Sequence, residues 1–364
     1  MKKIVLTGGG TAGHVMPNVA LLPYLKDFEI HYIGQIGGIE ERIMTGQPGV
    51  AFHGIHCGKL RRYISKENIK DFFNFQKGIR ESKKLLKKIR PDVIFSKGGY
   101  VAVPVATAAK RIKIPLISHE SDLTPGLANR MIAKSAKVVL TTFPETTGLI
   151  PDGKGRFAGP PIRDSLFEGD RQKGLSFLGF SGAKPVLAIM GGSMGSRAVN
   201  DIVRNNLEYL CERFDVVHMC GKGNLLQDAD FSPAVMKGYR QYEFITDELA
   251  DVLAATDLVI TRGGSNSIHE FAAIAKPMII IPLSRKASRG DQIENADSFE
   301  KRGFALKLSE DDVTDELFRE AVGKLAASRG EIAAKLEAAR FADGTRNIFE
   351  EIVRVVGEQA QLQG

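Results

Sequence analysis

Short apolar, β-branched segments alternate with amphipathic stretches along the whole of this 364-residue chain. The alternation predicts an α/β fold, because parallel strands are joined by crossover helices that cover both faces of their sheet. The expected strands include Lys3–Thr7, Glu29–Ile33, Val93–Ser96, Leu116–Ser118, Val138–Thr141, Val186–Met190, Val216–Met219, Leu258–Thr261 and Met278–Ile281.

The pattern starts again in the middle of the chain. Residues 3–10 and 186–193 each run an apolar strand into glycines, 183 positions apart. Gly159-Pro160-Pro161 lies between them, and two prolines after a glycine can enter neither a helix nor a central strand. We therefore expect two similar domains, at residues 1–160 and 161–344.

The C-terminal segment has the pattern of an amphipathic helix. Ile348, Phe349, Ile352, Val355 and Val356 recur at helical spacing. Such a helix buries one face. We expect residues 345–364 to join the first domain in this way.

Charge is distributed unevenly between the two domains. Residues 1–160 hold 25 Lys and Arg against 12 Asp and Glu, a net charge of +13, whereas the rest of the chain carries −6. The first domain should therefore seek a polyanionic partner. No zinc finger, RNP or helix-turn-helix signature accompanies the charge, so nucleic acid is not the expected partner.

Apolar runs are too short for a membrane span, which needs about 18 or more residues. The first residues have the charge of a signal peptide without its apolar stretch, so we expect a cytosolic chain. Cys57, Cys211 and Cys220 lie in no metal-binding pattern, and they are expected to be reduced core residues.

The first glycine loop, Gly8–Gly13, satisfies the GxGxxG pattern of a dinucleotide site. That fold needs an acidic residue at the end of its second strand, and no carboxylate follows Ile33 before Glu40. His14 follows the loop at the start of a helix expected over Val15–Tyr24. A helix N-terminus disfavours a charged imidazole, so His14 could serve as a general base, or alternatively only cap the helix.

Two further glycine loops lie in the second domain. Gly191–Ser196 and Arg262–Ser267 each follow an expected strand, and the first precedes a helix expected over Ala198–Leu210. Backbone N–H groups at such loops bind anions without a metal. Glu270 follows where a carboxylate could bind both hydroxyls of a ribose. These features favour a nucleoside diphosphate, although each loop alone could be a tight turn.

Polar segments follow two strands of the first domain. His119–Gly126 and Lys97–Tyr100 lie at carboxyl ends of strands, where open α/β sheets bind ligands. Thr124 and Pro125 are also a possible helix start. In the second domain, Gln292 and Asn295 offer amides suited to sugar hydroxyls.

One segment matches a sequence pattern that can bind a metal ion together with a diphosphate. Asp228-Ala229-Asp230 has the DxD form but does not follow a strand with a glycine loop. We interpret it as a solvated loop and expect no metal.

These segments together resemble the family of peptidoglycan N-acetylglucosaminyltransferases. This family moves N-acetylglucosamine from UDP-N-acetylglucosamine to lipid I, the undecaprenyl-pyrophosphoryl-muramoyl-pentapeptide, and so forms lipid II. The resemblance extends from residue 3 to roughly residue 350, and it is carried in the expected order by Gly8–His14, His119–Asp122, Thr124–Asn129, Gly191–Ser193, Arg262–Gly264, Glu270, Asp291–Gln292 and Asn295–Ala296.

The resemblance implies the GT-B architecture, in which two Rossmann-like domains face each other across a cleft. It assigns the donor nucleotide to residues 161–344 and the acceptor to residues 1–160. Arg163 and Gln292 would face phosphate and sugar. The implied substrate-binding residues are Thr11, Ala12, Gly13, Arg163, Gly192, Ser193, Phe244, Ile245, Arg262, Gly263, Ser265, Glu270, Asp291 and Gln292.

Within this set, Ser193, Arg262 and Glu270 are assigned to the diphosphate and ribose by the resemblance. The uracil is assigned to the backbone near Phe244 and Ile245. No cofactor is implied.

The family inverts the anomeric centre, which implies one displacement by the acceptor's 4-hydroxyl as UDP leaves. His14 is the expected base, with Asp122 and Glu120 as the other catalytic candidates. Asp122 stands where many relatives have asparagine, so an accepted hydrogen bond from a sugar hydroxyl survives while the amide's donated bond is lost.

The anionic, lipid-anchored acceptor is a partner that the positively charged first domain is suited to bind. Residues 59–88 combine many Lys and Arg with Tyr63, Phe72, Phe73 and Phe75, a surface suited to anionic headgroups. We expect a peripheral protein on the cytoplasmic face of the cell membrane, although residues 76–90 alone could be an ordinary solvated helix.

Two other functions remain open. Another GT-B enzyme, such as a UDP-N-acetylglucosamine 2-epimerase or a glycolipid glycosyltransferase, would share the diphosphate site. A binding module without chemistry is the other alternative.

Overall fold

The computed structural model describes residues 1–58, 66–192, 195–227 and 231–361, with no side chain described at 66–70, 342 or 360. The chain divides into two compact units. The first unit comprises Met1–Arg163 and Asp343–Gly364, and the second unit comprises Asp164–Ala342.

Each unit is built on one parallel sheet. In the described residues the strands are β1 Lys2–Thr7, β2 Phe28–Gln35, β3 Val50–Ile55, β4 Val93–Ser96, β5 Leu116–Glu120, β6 Val138–Thr141, β7 Gly155–Phe157, β8 Val186–Met190, β9 Asp215–Met219, β10 Tyr239–Tyr242, β11 Leu258–Thr261, β12 Met278–Ile280 and β13 Ala305–Lys307. The nine expected strands are all present, with ends that differ by at most two residues.

Both sheets have the same winding. The strand order is β3-β2-β1-β4-β5-β6-β7 in the first unit and β10-β9-β8-β11-β12-β13 in the second. The direction of winding reverses between β1 and β4, and again between β8 and β11. This is the order of a Rossmann fold, which binds ligands at the reversal point, and the prediction of two Rossmann-like domains is confirmed.

Helices cover the sheets between the strands. They are α1 Met16–Leu21, α2 Ile39–Met44, α3 Lys66–Ile89, α4 Ala102–Ile112, α5 Leu127–Ala133, α6 Pro144–Thr147, α7 Arg171–Leu178, α8 Arg197–Asn205, α9 Leu207–Arg213, α10 Pro233–Gly238, α11 Leu249–Ala255, α12 Ser265–Ala273, α13 Asp291–Lys301, α14 Asp315–Ala338 and α15 Gly344–Gln361. Short 3₁₀ turns include Ala12–His14 and Leu22–Leu25.

The first unit has an apolar layer on each face of its sheet. Side chains alternate along β1, so that Val5 belongs to the layer under α3 and α4 while Ile4 and Leu6 belong to the opposite one. All three side chains are fully buried.

The C-terminal helix α15 completes the second of these layers. Ile348, Ile352 and Val355 are fully buried against a cluster that includes Ile4 and Phe95. The Thr345 hydroxyl accepts a hydrogen bond from Ile162 N (2.8 Å) and donates one to Ile162 O (2.7 Å). The first unit is thus assembled from both ends of the chain.

The second unit is stabilised by a comparable core. Ala188 of β8 and Val217 of β9 are buried with Leu175 of α7 and Val252 of α11. This packing fixes β8, and β11 pairs with β8 in parallel, so the two glycine loops begin at the same edge of the sheet.

Two helices are shorter than the sequence predicts. The helix expected over Val15–Tyr24 is α1 followed by a 3₁₀ turn that contains Pro23, because proline cannot donate the hydrogen bond that would continue the helix. The helix expected over Ala198–Leu210 is divided into α8 and α9 at Asn206, whose side-chain amide donates to Ile202 O at 2.9 Å.

Candidate functional site

The first glycine loop follows β1 and is held by a carboxylate of the same unit. Glu40 is fully buried, and its Oε2 accepts a hydrogen bond from Gly10 N at 3.2 Å while its Oε1 accepts one from Gln35 N at 3.0 Å. Gly10 has a φ of 87°, and a Cβ there would lie 2.5 Å from the ring of Tyr100. The loop therefore needs glycine, and its Gly10 amide already binds an anion supplied by the protein.

His14 ends the 3₁₀ turn that this loop forms. Thr11 caps the turn, Ala12 and Gly13 lie within it, and the Thr11 hydroxyl is 2.9 Å from His14 Nδ1. A Cβ on Gly99 would lie 3.3 Å from the same nitrogen, so the loops after β1 and β4 meet at His14. The ring precedes α1, which has only six residues. Its defined partner is therefore the Thr11 hydroxyl and not the N-terminus of a long helix.

Glu120 closes β5 as a buried carboxylate. It is 3% exposed, and it accepts hydrogen bonds from Asp122 N (3.0 Å), Gly126 N (3.2 Å) and Asn129 Nδ2 (2.7 Å). Burial, with the nearby negative charge of Asp122, raises the pKa of Glu120 to about 7. A carboxyl group with such a pKa can exchange a proton near neutral pH.

The segment after β5 brings Asp122 beside this carboxylate. The Asp122 side chain is half-buried. The expected helix start at Thr124 and Pro125 is wrong, because α5 begins at Leu127 with Gly126 as its N-cap. The hydrogen bond from Gly126 N to Glu120 closes the loop between β5 and α5.

The first glycine loop of the second unit follows β8. Gly192 has a φ of 91°, and Ser193, which the resemblance assigns to the diphosphate, lies outside the described residues. Gly195 has a φ of 74°, and a Cβ there would lie 2.1 Å from Cys220 O. The Ser196 hydroxyl accepts a hydrogen bond from Val199 N at 3.3 Å and so caps α8, which presents its N-terminus at the reversal point of the second sheet.

The second glycine loop of this unit follows β11 at the same point of the sheet. Arg262 is 9% exposed, and its guanidinium donates to Ile281 O at 3.1 Å and to the Glu310 carboxylate at 2.8 Å. Burial raises the pKa of Glu310, but hydrogen bonds from Arg262 and from Ser284 N outweigh it, and the net pKa is lowered. The arginine predicted to hold the diphosphate is therefore fixed by protein partners.

Gly263 and Ser265 continue from this arginine into α12. The buried Ser265 is the first residue of that helix, and Glu270 lies half-buried one and a half turns further along it. The helix start and the carboxylate are thus on one element, as the sequence predicts.

The amides on α13 have different roles. The expectation that Asn295 faces a sugar is wrong, because its side chain is fully buried and donates to Gly263 O at 3.1 Å. Gln292 Oε1 accepts from Leu283 N at 3.0 Å, which leaves its amide nitrogen as the group that can donate to a ligand. Asp291 begins α13 and lies 3.7 Å from Arg289.

A pocket beside the glycine loop after β8 contains the residues that the resemblance assigns to uracil. It has a volume of about 140 Å³. Phe244 is 49% exposed and Ile245 is buried. The lining residues are Met190, Gly192, Met219, Glu243, Phe244, Ile245 and Ser267.

The other residues singled out from the sequence either have defined surroundings or lie outside the described residues. Arg163 is half-buried at the end of the first unit's N-terminal part. Asp228-Ala229-Asp230 lies outside the described residues, and among those described no three His, Cys, Asp or Glu residues are grouped to hold a metal. Cys57, Cys211 and Cys220 are buried free thiols, and burial raises the pKa of each.

Two buried charged residues of the site are missed by sequence reasoning. In the sequence, Lys97 is recognisable only as part of a glycine-containing segment, and Glu40 only as a carboxylate too distant to bind a ribose. Their roles depend on the tertiary fold, although the position of Lys97 directly after a strand is a signal for it. No helix in the described parts of the chain is both long and apolar enough to cross a membrane.

Comparison with known proteins identifies the family. The Glycosyltransferase family 28 N-terminal domain matches residues 4–141, and the C-terminal domain of the same family matches residues 186–352. A relative from Clostridium tetani is 45% identical over 96% of this chain and 97% of its own length. One from Lachnoclostridium phytofermentans is 53% identical over 88% and 90%. Both are named UDP-N-acetylglucosamine--N-acetylmuramyl-(pentapeptide) pyrophosphoryl-undecaprenol N-acetylglucosamine transferase.

Solved structures agree on the fold. The crystal structure of Acinetobacter baumannii MurG superposes with a TM-score of 0.77 at 22% identity, covering 97% of this chain and all of that one. The calicheamicin glycosyltransferase CalG4 gives a TM-score of 0.67 at 14% identity, with 98% of each chain covered. The chain therefore belongs to glycosyltransferase family 28 and, within it, to the peptidoglycan N-acetylglucosaminyltransferases that its sequence resembles.

Proposed function

We propose that this enzyme transfers N-acetylglucosamine from UDP-N-acetylglucosamine to the 4-hydroxyl of the muramoyl sugar of lipid I, with inversion, and so forms lipid II for peptidoglycan synthesis. The observation that carries the proposal is 45–53% identity to relatives named for this transfer, over 88–96% of the chain. Loss of the enzyme would then stop wall growth and disturb cell shape and division.

The donor is proposed to bind the second unit. Supporting this, the α8 and α12 N-termini and Arg262 meet at the sheet position where a Rossmann fold binds its ligand. These groups would stabilise the charge that grows on the diphosphate as UDP leaves, together with Ser193. Glu270 would accept hydrogen bonds from the ribose. Gln292 would donate to the sugar through its amide nitrogen.

The base is proposed to be His14. When Nδ1–H donates to the Thr11 hydroxyl, Nε2 carries the lone pair that takes the proton of the acceptor hydroxyl. Glu120 and Asp122 lie on β5 and the segment after it, and they would bind sugar hydroxyls or serve as the base in place of His14. Arg163 would contact a phosphate.

The first unit is also proposed to lie on the cytoplasmic face of the cell membrane. Phe72 and Phe73 on α3 are 58% and 67% exposed, and lysines and Arg80 follow them on the same helix. Apolar rings beside cations fit an anionic headgroup region. Phe75 instead packs against the core, and Tyr63 lies outside the described residues.

The transfer is tested with purified enzyme, UDP-N-acetylglucosamine and a soluble lipid I analogue. We expect a β-linked disaccharide product, UDP released in equal amount, and no loss of activity in EDTA. A UDP-N-acetylglucosamine 2-epimerase would instead consume the donor without any acceptor. Donor consumption of that kind, or failure to retain UDP, would contradict the proposal.

A further inference from the structure

Lys97 is a fully buried lysine at the reversal point of the first sheet. It is 1% exposed and directly follows β4, next to the loop that follows β1. Its backbone N donates to Thr7 O at 2.9 Å, and its Cβ lies 3.2 Å from the position of a Cβ on Gly8. The side chain therefore lies behind the glycine loop that leads to His14.

The Lys97 ammonium group connects this loop to the segment after β5. Nζ lies 2.6 Å from His119 Nδ1, and it also donates to the Ser121 hydroxyl. His119 is fully buried, and its Nε2 lies 3.1 Å from Gly159 O. Because a carbonyl only accepts, Nε2 must carry the hydrogen, so Nδ1 carries a lone pair and accepts from Lys97.

The charges around Lys97 are carboxylates. Glu120 and Asp122 are the nearby ionisable groups that act on it, and both favour its charged form. Burial nevertheless lowers the pKa of Lys97 to about 7. Hydrogen bonds from three N–H groups and the charge of Lys97 favour the ionised form of Glu120, and they oppose the burial and the charge of Asp122 that raise its pKa.

We propose that Lys97 is a positioning residue for the acceptor reaction, which holds His119 and Ser121 in place and offsets part of the negative charge that Glu120 and Asp122 bring together. The proposal rests on the proposed function, in which these carboxylates face the acceptor sugar. It adds a residue that touches no substrate.

The test compares Lys97→Met, which keeps the length of the side chain and removes its charge, with Lys26→Met, an exposed lysine of the same unit. In Lys97→Met we expect the acceptor KM to rise at least about tenfold while the donor KM stays within about twofold. The acid limb of kcat/KM should move to higher pH, because carboxylates that lose a cation ionise less readily. Lys26→Met should behave as the wild type.

Asp122→Asn supplies the second arm. An amide at this position needs no counter-charge, so Lys97→Met should cost much less in the Asp122→Asn background than in the wild type. The four proteins form a double-mutant cycle for both kcat/KM and stability. Additive effects, or a folded Lys97→Met with unchanged acceptor KM and acid limb, would overturn the proposal. If Lys97→Met does not fold, the proposal is overturned when the double variant Lys97→Met, Asp122→Asn is no more stable than Lys97→Met alone.

A stability measurement distinguishes failure of this inference from failure of the proposed function. The folded pKa of Lys97 is lowered, so the unfolded chain binds more protons between about pH 7 and 10, and Lys97 makes stability rise with pH across that range. The stability difference between wild type and Lys97→Met should therefore grow from pH 7 to 10. A constant difference would show that burial does not lower the pKa of Lys97, which would refute its place behind the glycine loop even where no lipid II is made.

Discussion

Glu40 gives the first glycine loop a chemistry that differs from a nucleotide site. Its carboxylate binds the Gly10 amide, and a Cβ on Gly9 would lie 2.5 Å from the carboxyl carbon. A phosphate on the same amide would meet this buried negative charge. The loop therefore follows the GxGxxG pattern, yet Glu40 disfavours a dinucleotide at that amide.

His14 is the residue on which the proposed chemistry depends most. Replacing it by Ala removes the general base, a contribution typically worth about 10² to 10⁴ in rate. We expect kcat to fall at least about a hundredfold, with the donor KM little changed because the donor is proposed to bind the second unit. Steady-state kinetics with the lipid I analogue measure this. A fall in kcat of less than about tenfold would show that His14 is not the general base and would assign that role to Glu120 or Asp122.

The residues whose roles the sequence predicts and those whose roles it misses differ in how far away their partners lie in the chain. His14, Ser265 and Glu270 are recognisable because glycines and strand ends next to them in the chain mark a loop. Lys97 depends on His119, 22 residues away, and Asn295 depends on Gly263, 32 residues away. Neither contact leaves a local pattern. The roles of the buried residues of the site could therefore be recognised only from the folded structure.

At the scale of elements, the strands that sequence reasoning misses are the edges of the two sheets, β3, β7, β10 and β13. The inner strands are almost fully buried and read as continuous apolar runs, as parallel strands covered on both faces do. The edge strands are only partly buried; β7, for example, has the sequence Gly-Arg-Phe with two exposed side chains. Hydrophobic pattern alone does not distinguish such segments from loops.

The exposed ring pair on α3 allows a direct test of membrane binding. Phe72 and Phe73 lie with ring centroids 6.0 Å apart. Replacing both by Ser should weaken binding to anionic liposomes at least about tenfold, since burial of one such ring contributes about 1.5–3 kcal/mol. Cosedimentation at low and high salt measures this. Phe157→Ser, which alters another exposed Phe of the same unit, is the control. Equal losses of liposome binding in the two variants would contradict the proposal that α3 contacts the membrane surface.

A buried histidine ties α8 to its sheet and gives the second unit a pH dependence. His218 Nε2 lies 3.0 Å from Asn200 Oδ1, and its Nδ1 lies 2.9 Å from the Tyr239 hydroxyl. Burial, helped by the charge of Arg204, lowers the pKa of His218 to about 3. The unfolded chain therefore binds more protons between about pH 3 and 6.5, and stability falls as the pH falls through that range.

The matched variant is His218→Gln. It should be less stable than the wild type at pH 7, because packing and one ring hydrogen bond are lost, but its stability should fall less between pH 6.5 and 4. Urea unfolding at several pH values measures both slopes. Parallel slopes would show that His218 does not titrate on unfolding.

At the scale of the whole molecule, the two units share one pattern of strand order, but the first unit is made of two separate parts of the chain. The first unit depends on α15, which the chain reaches only after the second unit. The helical periodicity of residues 345–356 predicts an amphipathic helix from the sequence. Which side chains its buried face contacts is a long-range property, which the periodicity does not contain.

Removing one buried side chain of α15 should destabilise the first unit. Ile352 is fully buried, and Ile352→Ala should lower the free energy of unfolding by about 2–5 kcal/mol. UDP binding to the second unit should persist under conditions where the first unit remains folded. Val353→Ala, at a position 46% exposed, should change stability by no more than about 0.5 kcal/mol. Similar losses in both variants, measured by urea unfolding, would contradict the packing described for α15.

The Thr345–Ile162 hydrogen bonds have a consequence for biosynthesis. They join residues 183 positions apart, so a ribosome translates the entire second unit before the partner of Ile162 exists. Domains usually fold in the order in which they are synthesised. Here the nascent N-terminal sheet exposes the part of one apolar face that α15 later covers until translation is nearly finished, and we expect chaperones that bind emerging chains to recognise it.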